Sequence, residues 1–195
     1  MARSVPRSKK KSSRKNSIKV LKSRVTYRSS VFYVTSEIVR EPSGITVRRD
    51  IIHHPGSVVV LGVDYSGKEP AILLEKQFRY AAGKTLWELP AGRIDAGESS
   101  LKAGKRELIE ETGYRAKRWT KALFFYVSPG FLDETMTIYL AEDLRPGEAT
   151  PEEDEVIETE LVPLSRARKM VIDGTIQDAK TITGLLWFDR KFSGS

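Results

Sequence analysis

The chain of 195 residues has no cysteine and only two histidines. The first absence excludes disulfides, thiolate metal sites and cysteine nucleophiles. The histidines are adjacent, His53 and His54, which leaves too few parts for a histidine-built zinc site or a serine–histidine triad. No apolar run approaches the roughly 18 residues that a bilayer-spanning helix needs, and the basic N-terminus lacks the apolar stretch of a secretory signal. A cytoplasmic protein with no membrane association is expected. Its chemistry has to run on carboxylates, arginines and a bound metal.

At 39% hydrophobic residues the chain can bury one good core and a small second subdomain. The net charge of +7 is concentrated at one end. Arg3, Arg7, Lys9, Lys10, Lys11, Arg14 and Lys15 come without an acid among them, and beyond them 26 basic residues face 26 acidic ones. This Ser/Lys/Arg-rich arm, residues 1–17, is expected to be disordered. It offers weak, non-specific nucleic-acid binding through counterion release. A solubilising tail is the simpler account, because no aromatic or base-reading element accompanies the charge.

Residues 18–54 read as a small antiparallel β subdomain. The stretch 25–34 is rich in β-branched and aromatic residues, and strands at 32–40 and 45–52 flank the turn Glu41-Pro42-Ser43-Gly44. The main domain is expected over 55–195. Within it, 57–63 is a near-continuous apolar run suited to a strand buried on both faces. Further strands are expected at 71–78, 86–88, 119–127 and 135–141, and helices at 165–172 and 178–192. This order argues for an α/β (α+β) protein, a sheet covered by helices. Trp119 and Trp187 read as core. Trp87 stands between core and pocket.

The most informative stretch is GRIDAGESSLKAGKRELIEETGY, residues 92–114. Its segment 100–112 reads as a helix, with Ser99 or Ser100 as cap and Gly113 at the left-handed C-terminal position. At roughly 100° per residue, Leu101, Leu108 and Thr112 share one face, with Glu107, Glu110 and Glu111 on an arc beside it. Glu107 and Glu111 are four apart, and like charges at that spacing cost roughly 0.2–0.5 kcal/mol per pair. A divalent cation would compensate, and Mg²⁺ suits carboxylate oxygens. The preceding turn Leu89-Pro90-Ala91-Gly92 can add a backbone carbonyl, with glycine permitting close approach. Three glutamates alone would be a solvated helix face. Gly92, Glu98, Arg106 and Gly113 in register with them favour a metal site.

This stretch resembles the Nudix box, GX5EX7REUXEEXGU with U aliphatic. Only Tyr114 departs, where an aliphatic residue is usual. The resemblance implies an α/β/α sandwich with a mixed sheet that hydrolyses nucleoside diphosphates linked to another moiety. It implies Mg²⁺, with Mn²⁺ as substitute, held by Glu107, Glu110, Glu111 and the Ala91 carbonyl. Arg106 is implied to support catalysis by holding loop and helix together. Gly92, Glu98 and Gly113 are implied to shape the motif.

Outside the box, LEKQFRYAAGKTLWELPAGRIDAGE, HPGSVVVL, SPGFLDE and VIDGTIQDAKTITGLL are similar to the ADP-ribose pyrophosphatase subgroup. Pro129 lies 16 residues beyond Gly113, near that subgroup's marker proline. The implied reaction converts ADP-ribose and water to AMP and ribose 5-phosphate. Arg79 is the expected phosphate clamp, Arg49 or its neighbour Arg48 the contact to the adenosine end, and Glu88 a further substrate-site residue. In the loop 128–134, Glu134 is the expected general base and Asp133 its alternate, with Glu110 the fallback within the helix. His54-Pro55-Gly56 is expected to be a structural link. Subgroup members are typically homodimers that exchange N-terminal sheets, so a homodimer is expected here. The alternatives are a hydrolase of nucleotide sugars or dinucleotides, or a non-catalytic nucleotide-sensing or nucleic-acid-binding module.

Overall fold

The computed structural model describes residues 17–150 and 156–193. The expected arm lies, apart from Ser17, outside them. The chain divides into two compact units, Met1–Ile52 and His53–Ser195.

The first unit holds a three-stranded sheet of β1 (Lys19–Arg28), β2 (Tyr33–Arg40) and β3 (Thr46–His53), in that order. The expected strand at 25–34 is in fact the end of one strand and the start of the next. It breaks at Ser29, whose Oγ accepts the N–H groups of Val31 (3.2 Å) and Phe32 (3.0 Å). Serine hydroxyls compete with ladder hydrogen bonds in this way, which is why adjacent serines mark a turn. The turn at Glu41-Pro42-Ser43-Gly44 forms as expected, closed by the Gly44 N–H to the Glu41 carbonyl with Gly44 at φ +90°. Val39 and Thr35 are buried in this unit, while β1 is exposed along its whole length.

The second unit contains β4 (Ser57–Asp64), β5 (Ala71–Arg79), a 3-10 turn at Tyr80–Ala82, β6 (Lys84–Glu88) and β7 (Ala91–Arg93). After these come α1 (Ser100–Thr112), β8 (Arg115–Tyr126), β9 (Thr135–Arg145), β10 (Ile157–Pro163), α2 (Leu164–Ile172) and α3 (Ala179–Ser193). The sheet runs β10-β5-β4-β9-β8, with β6 added to β5 and β7 to β4. Only the β4–β9 pairing is parallel among those whose register is given, so the sheet is mixed.

The apolar run at 57–63 explains the layering. Val59, Leu61 and Val63 pack to one side, against Ala167 and Met170 of α2 and Leu185 and Phe188 of α3. Val60 packs to the other side with Leu73, Leu108 of α1 and Ala141. A strand whose alternate residues both find apolar cover has to lie between two helical layers. This is the α/β/α sandwich that the sequence resemblance implied. Trp87 and Trp187 pack against the larger cluster and Trp119 against the smaller one.

Two strands had no sequence counterpart. β7 is only three residues long, and β10 is a seven-residue strand in which Glu158 and Glu160 alternate with Ile157, Thr159 and Leu161. β10 closes the sheet edge beside β5, where charged residues are the usual protection. No helix of the described residues is long and apolar enough to cross a membrane.

Leu108 is fully buried between α1 and the sheet. Leu108→Ala is therefore expected to lower unfolding free energy by about 2–5 kcal/mol, the range for emptying a packed leucine site. Urea denaturation checks this, and a loss below about 1 kcal/mol would show that the α1 layer is not packed as described.

Candidate active site

The site is built where β6 runs out into a loop and α1 lies across it. Ser99 caps α1, its hydroxyl accepting the Lys102 N–H, and Gly113 ends it at φ +74° with its N–H donated to the Ile109 carbonyl. Glycine is needed there twice over, because a Cβ on Gly113 would also lie 2.6 Å from the Gly147 carbonyl oxygen. The loop Leu89-Pro90-Ala91-Gly92 is fastened from several directions. Leu89 donates its N–H to Thr181 Oγ1 (2.7 Å), the Pro90 carbonyl accepts from Val60, and Ala91 donates its N–H to Glu111 Oε2 (3.0 Å).

Arg106 joins loop to helix. Its guanidinium donates to Glu98 Oε2 (3.1 Å), Glu107 Oε1 (2.7 Å), Glu110 Oε2 (2.9 Å) and the Arg93 carbonyl (3.0 Å). Burial works against the Arg106 cation, but hydrogen bonds to Glu98, Glu110 and Glu107 outweigh it and raise its pKa above the ordinary value. The same contact with Arg106 holds Glu98 below the usual carboxylate range.

Glu107, Glu110 and Glu111 thus lie on one side of α1 facing the loop, as the helical spacing predicted. The Glu107 carboxylate lies so close to Gly92 that a Cβ there would come within 1.9 Å of Oε1. Only glycine lets the acidic helix face and the loop backbone approach this closely. Among the described residues, no three acidic or histidine side chains are grouped tightly enough to hold an ion as they stand. Their oxygens are turned instead toward Arg106 and the Ala91 amide. The donor set nonetheless suits a hard divalent cation: three carboxylates, one exposed to solvent at Glu110, beside a loop backbone bare of side-chain bulk.

Arg79 and Glu88 meet on neighbouring strands at the loop entrance. Arg79 donates from Nε (2.8 Å) and Nη2 (2.9 Å) to the two oxygens of Glu88. The bidentate fork expected to grip phosphate is therefore committed to Glu88, and Arg79 offers a ligand its Nη1 edge. Glu88, expected among the substrate contacts, is only 2% exposed and acts on Arg79 from beneath. The hydrogen bonds that Arg79 donates to Glu88 raise its pKa, with the charges of Glu75 and Glu111 adding to the effect. Arg79 therefore feels the acidic face of α1.

The histidines have partners that sequence distance concealed. His53 Nδ1 lies 2.6 Å from Asp133 Oδ2, and the His54 N–H donates to Asp133 Oδ1 (2.8 Å). Glu134 accepts the Ser57 hydroxyl (2.6 Å), with His54 Nδ1 3.6 Å from the same oxygen. Asp133 and Glu134 are thereby pinned to the start of β4, and Asp133 serves as an anchor. Arg48 and Arg49 belong to the first unit, where Arg48 pairs with Asp50 (3.2 Å) and Arg49 with Glu41.

Sequence spacing missed Lys180, Asp178 and Thr181, which tie α3 to the loop. One signal was present: Lys180 shares a helical face with Gly184 and Phe188, both buried, so a lysine stands on a core-facing stripe.

Comparison with known proteins agrees with this geometry. The family model of the NUDIX domain matches residues 53–184. The chain is 43% identical over 157 residues to an ADP-ribose pyrophosphatase of Bacillus subtilis (strain 168), a match that covers 80% of this chain and 83% of that protein. It is 34% identical over 170 residues to an ADP-ribose pyrophosphatase of Mycobacterium tuberculosis (strain ATCC 25618 / H37Rv), covering 85% and 80%. A solved structure described as an ADP compounds hydrolase matches with a TM-score of 0.77 over 91% of this chain and 95% of that one, at 21% identity, a likeness of fold. With the family model matching residues 53–184 and a relative 43% identical over most of both chains, the chain belongs to the Nudix family of hydrolases.

Proposed function

We propose that this protein hydrolyses the diphosphate bond of ADP-ribose, giving AMP and ribose 5-phosphate, in the cytoplasm and with Mg²⁺ as its metal. Mn²⁺ is the expected substitute. The observation that carries this reading is the approach of α1 to the loop: Glu107 lies against Gly92, which has no side chain, Glu111 accepts the Ala91 N–H, and Glu110 is held beside them by Arg106. Glu107, Glu110 and Glu111 would hold the metal with the Ala91 carbonyl. When bound, it would neutralise diphosphate charge and orient the displacement.

The remaining roles fall to groups of the chain itself. Arg106 keeps Glu107 and Glu110 aligned and fastens the helix to the Arg93 carbonyl. Arg79, held by Glu88, supplies positive charge toward the diphosphate through Nη1. Glu134 is the proposed general base: Ser57 fixes Oε1, which leaves Oε2 as the oxygen to take a proton from attacking water. The new P–O bond forms as the bond to the bridging oxygen breaks, and the charge remains on the departing phosphate. Arg49 is proposed to contact the adenosine end.

A panel of ADP-ribose, nucleotide sugars, dinucleotides and 5′-triphosphate RNA with Mg²⁺ tests the substrate. ADP-ribose is expected to be turned over with the highest kcat/KM, and Glu107→Gln to cut that turnover by orders of magnitude in a folded protein. A preferred nucleotide sugar would reassign the substrate, whereas wild-type turnover by Glu107→Gln would remove the metal role from the helix.

Glu134→Gln is expected to lower kcat strongly at unchanged metal affinity, because proton transfer is used only in the transition state. Any rise of log kcat with pH in the wild type that reflects this proton transfer should disappear in the variant. A variant within a few-fold of wild type, with its pH profile intact, would return the role of base to Glu110.

A homodimer formed through the first unit is also proposed. Val20, Leu21, Val25 and Tyr27 of β1 are all exposed, and a three-stranded sheet with so little buried is marginal alone. Light scattering should give about twice the 22.0 kDa chain mass. A stable, active species at the chain mass would refute it.

A further inference from the structure

The least expected ionic group in the hydrolase unit is the ammonium of Lys180. Its side chain is 8% exposed, on the first turn of α3, yet lysine is rarely buried unless paired. Its partners are Glu88 Oε2 and, at 3.1 Å, Asp178 Oδ2. Glu88 therefore lies between two cations: Arg79 binds both its oxygens and Lys180 binds one of the same two. Burial pushes the Glu88 pKa up, but the hydrogen bond from Arg79 and the charge of Lys180 bring it below the ordinary value.

The Arg79–Glu88 pair is complete in hydrogen bonds without Lys180. The lysine contributes something else, a fixed place for the carboxylate. Glu88 is the last residue of β6, and across the β5–β6 ladder it faces Glu75, which is fully buried. Glu75 also acts on the Arg79 charge, so the place of the Glu88 carboxylate on this ladder matters to the guanidinium. Lys180 brings a second positive charge from the opposite layer of the fold. Its own backbone turn is tied to the same loop, since Thr181 Oγ1 accepts the Leu89 N–H and donates to Asp178 Oδ2 (2.6 Å). The start of α3, the end of β6 and the Arg79 side chain are thus joined through one carboxylate.

We propose that Lys180 is a positioning residue for diphosphate binding: acting through Glu88, it sets the orientation of the Arg79 guanidinium whose Nη1 edge meets the substrate phosphate. The inference rests on the nucleoside-diphosphate reading of the site for its ligand, and on geometry for the relay itself. Lys180 touches no substrate. Its effect therefore appears in binding and in KM more than in kcat, and it vanishes when Arg79 is absent.

The experiment is a double-mutant cycle on the full chain, with two readouts. The first is calorimetric titration of non-hydrolysable α,β-methylene ADP-ribose, with KM and kcat for ADP-ribose. Lys180→Met is expected to weaken analogue binding and raise KM by about tenfold, within the range of coupled neighbours. Lys180→Arg should recover most of that loss, and in an Arg79→Ala background Lys180→Met should add almost nothing. Losses that simply multiply in the double variant, or unchanged analogue binding by a folded Lys180→Met protein, would overturn the relay. Where Lys180→Met does not fold, Lys180→Gln, which keeps a donor toward Glu88, carries the same cycle.

The second readout needs no ligand. The Arg79 Nε–H resonance, assigned by its loss in Arg79→Ala, should be slow to exchange in the wild type and fast in Lys180→Met. Identical exchange in both proteins would overturn the relay whatever the substrate proves to be. Retained protection that depends on Lys180, in a protein that binds no diphosphate, would leave the relay standing and sink the proposed function alone.

Discussion

The site depends on one guanidinium. Arg106 is the single group that touches the helix glutamates, the loop carbonyl at Arg93 and the Glu98 side chain together. Without it Glu107 and Glu110 would repel each other, and the loop would lose its tie to α1 at the Arg93 carbonyl. A lysine could not replace it. An ammonium has no planar fork and could not address four acceptors in fixed directions. The Arg106 cation is stabilised strongly enough by its acceptors to survive partial burial. The acidic face of α1 is therefore arranged by a cation of the protein's own.

Glycine is the second constraint, and it acts through absence. At Gly92 the space that a methyl would fill is taken by the Glu107 carboxylate. At Gly104 an added Cβ would lie 3.1 Å from Val58 Cγ2, so the same helix is brought down on the sheet by another missing side chain. The approach of α1 to β4 and its approach to the loop are two parts of one docking. Leu108 supplies the apolar contact that stabilises it, and the glutamates follow on the adjoining arc of the helix.

What was legible in the sequence divides along the range of the interactions. The helix over 100–112, its Ser99 cap, the Gly113 terminus and the buried strand at 57–63 follow from local periodicity and capping, and all are present. Glu107, Glu110 and Glu111 were readable for the same reason, since they are fixed by one helix. The elements that were missed depend on partners far along the chain. β10 is a short strand that pairs along the edge of β5, a partner 80 or more residues away in sequence. His53 and Asp133 meet across 80 residues, and Lys180 and Glu88 across 92. No local pattern carries such pairings. Arg79 illustrates the middle case: the residue could be singled out from the sequence, but not its bidentate contact with Glu88, a buried carboxylate on the neighbouring strand.

The loop from Glu88 to Arg93 is thus held between two arginine–carboxylate nodes, one at each end. At its start Arg79 and Lys180 hold Glu88. At its finish Arg106 holds Glu98 and the Arg93 carbonyl. The arginines stay charged across any pH the protein meets, so both nodes titrate through their acids. Glu88 and Glu98 have folded pKa values below the ordinary range. Their contribution to stability is complete above the unfolded glutamate value, about 4.3, and is lost as pH falls through the lower folded values. Acid consequently weakens the ionic anchors at both ends of the loop. The apolar layers on either side of β4 carry no titrating group in their clusters and have no reason to fail with it. The order of loss on acidification follows from that difference: the ionic clamps at the two ends of the loop weaken first, while the Leu89, Pro90 and Ala91 hydrogen bonds and the sandwich beneath remain.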